Sequence, residues 1–174
     1  NLGTIPVSSL VTALTEARLS LQSTFDAGSD LGEGTLYLGP DTQIELAALD
    51  PRFAASGSNP VDKTGPTELR LNQGKLLVLR ANGTREYQVH GQGVSASLSG
   101  AGRGAMGVEA SGGELLMACL MGACRMTASG GQDQLLQAGE RISAVGGSPG
   151  AITSIPAGVL ASWVELCDGC LPGG

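Results

Sequence analysis

Apolar and polar residues alternate with a period of two along most of this chain, and that period indicates β-strands. The segment TLYLGPDTQIEL (35–46) alternates on both sides of a Gly-Pro-Asp turn, and TELRLNQGKLLVLR (67–80) alternates around Gly74. REYQVHG (85–91) and QLLQAGERISAV (134–145) continue the pattern. Because Gly-rich turns separate these runs, the sequence predicts an all-β fold with many tight turns.

Two stretches depart from this period. In PVSSLVTALTEARLSLQSTF (6–25) the first apolar residues recur at helical spacing, which predicts a short N-terminal helix that leads into a strand. The Pro-, Gly- and Ser-rich stretch 49–66 has neither period and is interpreted as a surface loop. The length, 174 residues, suits one domain. We divide it into an N-terminal lead segment, 1–34, and a β domain, 35–174, which ends in a C-terminal strand and a CDGC tail.

Six glycines form an internal repeat. Gly74, Gly83 and Gly91 are followed 48 residues later by Gly122, Gly131 and Gly139, with the same intervals of nine and eight. The same shift places Leu71 on Cys119, Leu76 on Cys124 and Tyr87 on Leu135. We therefore expect Cys119 and Cys124 to face the core across a glycine bend. Two such coils, each unable to bury its apolar face alone, would stack in a solenoid-like manner.

Composition narrows the classes of binding partner and the cellular locations that suit this chain. The chain carries 16 acidic and 10 basic side chains, so its surface would repel a nucleic-acid backbone. It contains no apolar run of transmembrane length. Because it starts at Asn1 without a basic and apolar leader, we expect a mature form from which a signal peptide was removed. Four cysteines in two close pairs favour an oxidising compartment, and we expect an extracellular or cell-surface protein, with the periplasm as the alternative.

Residues 35–145 resemble the FecR domain, an extracytoplasmic β-rich module of anti-sigma regulators in iron-uptake signalling. The motifs that carry the resemblance are GTLYLGPDTQIEL, LRLNQGKLLVLRANGTREYQV and GELLMACLMGACRMTASGGQDQLLQAGERI. The last is the most specific, because both Gly122 and the Ala138-Gly139-Glu140 turn are in place. The resemblance implies a twisted, solenoid-like or two-sheet β fold that contacts other proteins. The cytoplasmic and membrane segments of the regulators are not in this sequence, so we expect either an excised fragment or a stand-alone secreted member. The N-terminal lead and the CDGCLPGG tail favour the second.

The four cysteines could form disulfides, bind zinc, act in redox catalysis or remain as free buried thiols. Disulfides are the first hypothesis, with the local pairs Cys119–Cys124 and Cys167–Cys170 favoured although the spacing leaves the connectivity open. Two thiolate pairs would also supply a tetrahedral zinc site, but Cys119 and Cys124 lie at apolar strand positions rather than on zinc knuckles. A thioredoxin-like use of CDGC needs a cysteine at a helix N-terminus, and Pro and Gly end this chain instead. We predict no bound metal.

Two further motifs have structural explanations. GRGAMG (102–107) matches the dinucleotide-binding pattern G-x-G-x-x-G, but Gly112 and Gly113 follow too soon for the helix that must come next. His90 is the single histidine, so a serine or cysteine hydrolase would have to use it as the base. At a strand end, a solvated or singly bonded imidazole is the simpler interpretation.

The remaining polar candidates are dispersed. Glu45, Glu68 and Glu86 are expected on a solvated face rather than in an acid–base cleft. Asn82 begins an N-glycosylation sequon, but Asn-Gly is also a strong hairpin-turn dipeptide. Trp163 is expected to pack the C-terminal strand against the core or to mark a partner contact. Nothing in their spacing makes Arg80, Arg85 and Arg141 converge into an anion site.

Two function classes follow, and neither is an enzyme or requires a cofactor. The first is a structural or adhesive extracellular subunit that self-associates into filaments through sheet edges or its N-terminal segment. The alternative is a periplasmic sensor or scaffold domain that binds another protein, as in FecR-type regulators.

Overall fold

The structure, a computed structural model, describes residues 10–21, 34–48, 67–81, 83 and 86–172. Within these ranges the chain is almost entirely β, which confirms the predicted class, and it has one short helix. The elements are β1 (Leu10–Ala13), β2 (Ala17–Leu21), β3 (Gly34–Leu38), β4 (Thr42–Ala48), β5 (Thr67–Arg80), β6 (Tyr87–Gly91), β7 (Val94–Ser99), β8 (Gly104–Ser111), β9 (Glu114–Met121), β10 (Ala123–Ala128), β11 (Asp133–Gln137), β12 (Glu140–Val145), β13 (Ser148–Pro149), β14 (Thr153–Ser154) and α1 (Ala157–Leu166).

The strands form two layers that share β5. Sheet A has the order β1-β4-β5-β6-β7-β10-β11, and sheet B has the order β2-β3-β5-β8-β9-β12, with β13 and β14 both beside β12. All neighbours are antiparallel except β5 and β6. The side chains between the two layers form the main core, in which leucines from both sheets are fully buried.

β5 passes from sheet A to sheet B at Gly74. Its first half pairs with β4 and β6, and its second half pairs with β3 and β8. Gly74 has a φ of 94°, and a Cβ there would lie 2.5 Å from the Cα of Thr42. The Thr42 hydroxyl accepts a hydrogen bond from the Lys75 amide, with an N–O distance of 3.0 Å. Glycine is therefore required for both the backbone angle and the close approach of β4.

The sequence of β5 explains why the two sheets differ. TELRLN alternates, as expected for a strand with one solvated face, whereas Leu76 to Leu79 form a continuous apolar run. All of the run except Leu79 is fully buried, because sheet B is covered on both faces. On its outer face lie α1 and the tail that follows it.

The glycine repeat corresponds to a repeated crossing. β9 and β10 are joined at Gly122, whose φ is 82°, and they belong to sheets B and A respectively. The second copy therefore crosses between the sheets in the direction opposite to β5. Cys119 and Cys124 are buried in the main core, as the repeat predicts. The match of Tyr87 to Leu135 is wrong, because Tyr87 is fully buried and Leu135 is 60% exposed.

Both terminal regions differ from the prediction. Residues 10–21, expected to begin as a helix, form β1 and β2, because pairing with β4 and β3 satisfies their backbone groups. The C-terminal strand predicted around Trp163 is instead α1, which places Trp163 on the outer face of sheet B. The lead residues 1–9 and 22–33 and the loop 49–66 lie outside the described residues. In the part of the chain that is described, no helix is long and apolar enough to cross a membrane.

Candidate functional site

Neighbouring strands of sheet A align seven side chains in one row across the outer face of the sheet. The register pairs Leu10 with Glu45 and Glu45 with Arg70, and it continues without a gap through four more strands. From β1 to β11 the row consists of Leu10, Glu45, Arg70, His90, Ser95, Thr127 and Asp133. We call these seven residues the polar row, because every member except Leu10 is polar.

The alternating pattern of each strand produces this face. In the first half of β5 and in β6 and β7 the apolar residues turn inward, and the polar residues between them lie on the outer face, where all except Ser97 are at least partly exposed. No helix or strand among the described residues covers this side of sheet A, whereas α1 covers the outer side of sheet B. Sheet A is therefore the open face of the sandwich.

The charged groups on this face form local pairs instead of one strong charge. Arg70, His90 and Arg125 each lie near a carboxylate. The Asp133 carboxylate on β11 also accepts a hydrogen bond from the Thr127 hydroxyl. The pairs are Arg70–Glu45 (Nη1 to Oε2, 3.1 Å), His90–Glu68 (Nε2 to Oε2, 3.9 Å), Arg125–Asp133 (Nη1 to Oδ2, 3.5 Å) and Thr127–Asp133 (Oγ1 to Oδ1, 2.8 Å).

A shallow cleft of about 440 Å³ lies beside the middle of the polar row. Its walls include Arg70, His90, Ser95 and Thr127, together with the tight turn between β6 and β7. At the floor of the cleft, the backbone of Gly91 lies close to that of Leu71. A Cβ at Gly91 would lie 2.9 Å from the carbonyl oxygen of Leu71, so no side chain fits there. The lining offers hydrogen-bond donors and acceptors of several kinds. Polar side chains and exposed apolar atoms thus line the cleft together.

Breaking the pair at the start of the polar row should leave the fold intact. We expect Arg70→Ala and Glu45→Ala each to change the free energy of unfolding by less than about 1 kcal/mol, because exposed ion pairs contribute little. The side chains are 55% and 31% exposed. Urea unfolding followed by circular dichroism measures the change. A loss above about 2 kcal/mol would mean that the pair is structural rather than part of an open face.

The structure places the predicted polar residues as follows. Glu45 and Glu68 lie on the solvated face of sheet A, as the sequence predicts. His90 lies at the end of β6 beside Glu68, and no serine or cysteine of the described residues is hydrogen bonded to it. Glu86 accepts a hydrogen bond from the Gln88 amide at 3.1 Å.

Of the three arginines named as an anion-site alternative, the structure describes Arg80 and Arg141, which lie on different strands of sheet B. Arg80 is buried, and its guanidinium donates to the carbonyl oxygens of Gly102 at 2.7 Å and Ser99 at 3.3 Å. It therefore fastens the turn before β8. Arg141 lies on β12, whereas Arg85 and the sequon residue Asn82 fall outside the described residues.

The two cysteine pairs lie on opposite faces of sheet B. Cys119 and Cys124 are free thiols inside the main core, so the disulfide predicted for them is not formed in this structure. Cys167 and Cys170 are joined by a disulfide at the end of α1, with Cα atoms 5.4 Å apart. A zinc site that uses all four thiolates is therefore excluded by the intervening sheet. No group of three or more metal-binding side chains occurs in the described ranges.

The position of the CDGC tail also differs from that of a thioredoxin-like site. Cys167 lies at the C-terminal end of α1, where the helix carries partial negative charge and does not stabilise a thiolate. The tail is instead held against the turn before β8, since Arg103 Nη2 donates to the Cys170 carbonyl oxygen at 2.9 Å. The disulfide thus links the C-terminal end of α1, the helix that covers sheet B, to the tail that follows it.

Sequence reasoning missed the contact that seats this helix. Gly107, noted only as part of a dinucleotide-like motif, lies within β8 against Trp163, and a Cβ there would be 2.7 Å from the indole Cε2. Lys75 Nζ lies 4.2 Å from the centroid of the Trp163 ring and donates to Ser162 Oγ at 2.7 Å. Burial lowers the pKa of Lys75, while Glu109 and Glu165 act in the opposite direction.

These features define a two-sheet β domain with one covered face and one open polar face. Two crystal structures of a putative anti-sigma factor from Parabacteroides distasonis ATCC 8503 have a similar fold. Their TM-scores are 0.59 and 0.60 at 10% identity, over 90% and 91% of this chain. This chain spans 65% of the length of each of those chains. No family model and no curated protein matches this sequence, so membership of the FecR-like family stays a prediction from its motifs.

Proposed function

We propose that this chain is a non-catalytic, extracytoplasmic protein-binding domain of the FecR-like type, which docks a partner on the outer face of sheet A. The observation that carries the proposal is the asymmetry of the sandwich. The polar row crosses a seven-stranded face that no described helix or strand covers, while α1 and its disulfide cover the other side of the sandwich. The partner would be a folded protein that presents hydrogen-bonding loops, because the face is polar, nearly flat and locally neutral.

Two further observations support the class and the location. The fold resembles that of the putative anti-sigma factor crystal structures, and the sequence motifs resemble those of FecR modules. A disulfide-closed tail suits an oxidising compartment. The proposal that the chain is not an enzyme rests on the site itself, where His90 lies 3.9 Å from the Glu68 carboxylate and no described serine or cysteine is hydrogen bonded to it.

Site-specific photo-crosslinking in the producing cells tests the docking face. A photoreactive amino acid replaces Thr127 in the cleft of sheet A, and a matched variant carries it at Ala161, which is exposed on α1. We expect a discrete adduct with another protein from position 127 only. Equal adducts from both positions, or none from 127, would contradict the proposed face. An adduct between two copies of this chain would favour self-association instead.

A second candidate function, self-association through the edges of sheet A, is favoured by two exposed leucines. Leu10 on β1 and Leu135 on β11 are 59% and 60% exposed, and these strands are the outermost described strands of the sheet. Copies joined edge to edge would bring these side chains together and extend the sheet. Against this arrangement, the Gln137 amide at the β11 edge already donates to Glu140 Oε2 at 2.7 Å. One backbone group of that edge is thus already occupied.

Electron microscopy of the purified chain decides between the candidates. Edge-to-edge association predicts fibres that disappear in Leu135→Lys, since a charged edge residue blocks strand addition. The favoured proposal predicts small uniform particles in both samples. Ala161→Lys, on the exposed side of α1, serves as the control for a charge added away from the edge.

A further inference from the structure

Two buried thiols meet across the corner that joins the two sheets. Cys119 lies on β9 in sheet B, and Cys124 lies on β10 in sheet A. The two thiols lie close enough to shift each other's pKa, and the Cys119 thiol donates to the Gly122 carbonyl oxygen at 3.6 Å. Their residues are 0% and 1% exposed. Between them, Gly122 and Ala123 are exposed, so the thiols lie one layer beneath the surface of the corner.

The surroundings make the two thiols chemically unequal. The hydrogen bond from Cys124 lowers the pKa of Cys119, with burial acting in the opposite direction. The same hydrogen bond and burial raise the pKa of Cys124, which the nearby Arg80 guanidinium partly offsets. Cys119 is therefore the thiol that loses its proton first, and a thiolate is the attacking form in disulfide exchange.

We propose that Cys119 and Cys124 are a redox-active dithiol, which a disulfide-bearing oxidant converts into an intramolecular disulfide that joins the two sheets at this corner. The inference goes beyond the proposed function and does not depend on it. It rests on the burial of both thiols in one core, on their positions on either side of the bend at Gly122, and on the separation of this pair from Cys167 and Cys170 by sheet B.

The reaction proceeds by two exchanges. The Cys119 thiolate attacks one sulfur of the oxidant disulfide, which forms a mixed disulfide and releases one thiolate that takes up a proton. Cys124 then loses its proton and attacks the Cys119 sulfur, which forms the Cys119–Cys124 bond and releases the second thiol of the oxidant. Two thiols of this chain are oxidised, and one external disulfide is reduced to two thiols. Local opening of the exposed corner admits the oxidant.

Oxidised glutathione is the probe, and the full chain is treated under native conditions before acid quenching and alkylation of the remaining thiols. Cleavage after arginine yields one peptide, 104–125, that holds both cysteines, while Cys167 and Cys170 fall in a different peptide. We expect this peptide to lose two hydrogen atoms and to carry neither glutathione nor the alkylating group. Two alkylated cysteines, or glutathione adducts that persist, would overturn the proposal.

Single substitutions test the order of the two exchanges. In Cys124→Ser, Cys119 has no second thiol to resolve the mixed disulfide, so a glutathione adduct should accumulate on Cys119. In Cys119→Ser, the adduct on Cys124 should form about tenfold more slowly, because that thiol is less readily ionised. Equal rates in the two variants would overturn the assigned order. If a serine variant fails to fold by circular dichroism, the corresponding alanine variant replaces it, and the unaltered chain still decides whether the disulfide forms.

Discussion

Replacing Trp163 with alanine should lower the free energy of unfolding by about 3–5 kcal/mol, the usual cost of removing a buried tryptophan. Trp163 is fully buried between α1 and β8, and its ring also contacts Lys75 Nζ. Without it, α1 loses the side chain that seats it on sheet B. Urea unfolding followed by far-ultraviolet circular dichroism measures the loss, since Trp163 is the only tryptophan and its fluorescence disappears with it.

Two variants separate the packing contribution from other effects. Trp163→Phe should cost much less than Trp163→Ala, because it keeps a ring and removes an indole N–H that has no acceptor within the described part of the chain. Gly107→Ala should cost about 1–3 kcal/mol in the unaltered chain, because its methyl group would overlap the indole. In the Trp163→Ala background it should cost almost nothing. If Gly107→Ala lowers the free energy of unfolding equally in both backgrounds, α1 does not pack on β8 through the contact between Trp163 and Gly107.

Replacing Gly74 with alanine should cost about 3 kcal/mol or more, or prevent folding. The left-handed backbone angle alone costs an L-residue about 1–3 kcal/mol. The methyl group would also lie 2.5 Å from the Cα of Thr42, so β4 would have to move away from the crossing. The yield of folded protein and its urea midpoint are the measurements.

Gly139 provides a matched control for this effect. Its φ of 93° is nearly identical to the 94° of Gly74, but a Cβ at Gly139 meets no atom within 4 Å. Gly139→Ala should therefore show the backbone cost alone, about 1–2 kcal/mol. Equal losses for the two substitutions would mean that the contact with Thr42 does not constrain the crossing of β5.

The sequence predicted the β class, the buried cysteines and bends at the repeated glycines, because each depends on local signals. It predicted a turn between two strands at Gly74, where the structure has one strand that passes from sheet A to sheet B. Alternation and the repeated glycine intervals are visible within segments of a few dozen residues. The apolar run at Leu76–Leu79 also held a usable signal, since a strand buried on both faces needs a cover. Only the alternating residues Leu76 and Val78 were used to predict this strand, so no element was predicted to cover the outer face of sheet B.

Local sequence patterns could not predict the helix at residues 157–166 or the polar row. AGVLASWVEL is short, and tertiary contact with Gly107 rather than intrinsic preference positions it. The polar row joins residues as distant as Leu10 and Asp133 through six successive strand pairings, and a shift of one residue in any pairing would move part of the row to the core. Conversely, the helical spacing near residue 10 predicted a helix where the structure has β1, because strand pairing overrides such a weak preference.

The most direct test of the central claim compares the reactivity of one residue on each face in cells and in purified protein. Arg125→Cys lies on the outer face of sheet A, and Ala161→Cys lies on α1, while the free thiols of the parent chain are buried and provide the blank. A membrane-impermeant maleimide is applied to intact cells and to the purified variants. We predict that position 125 reacts several-fold more slowly in cells than when purified, whereas position 161 reacts equally in both. Equal reactivity of position 125 in the two settings would contradict an occupied docking face, and no labelling of either variant in intact cells would contradict an extracytoplasmic location.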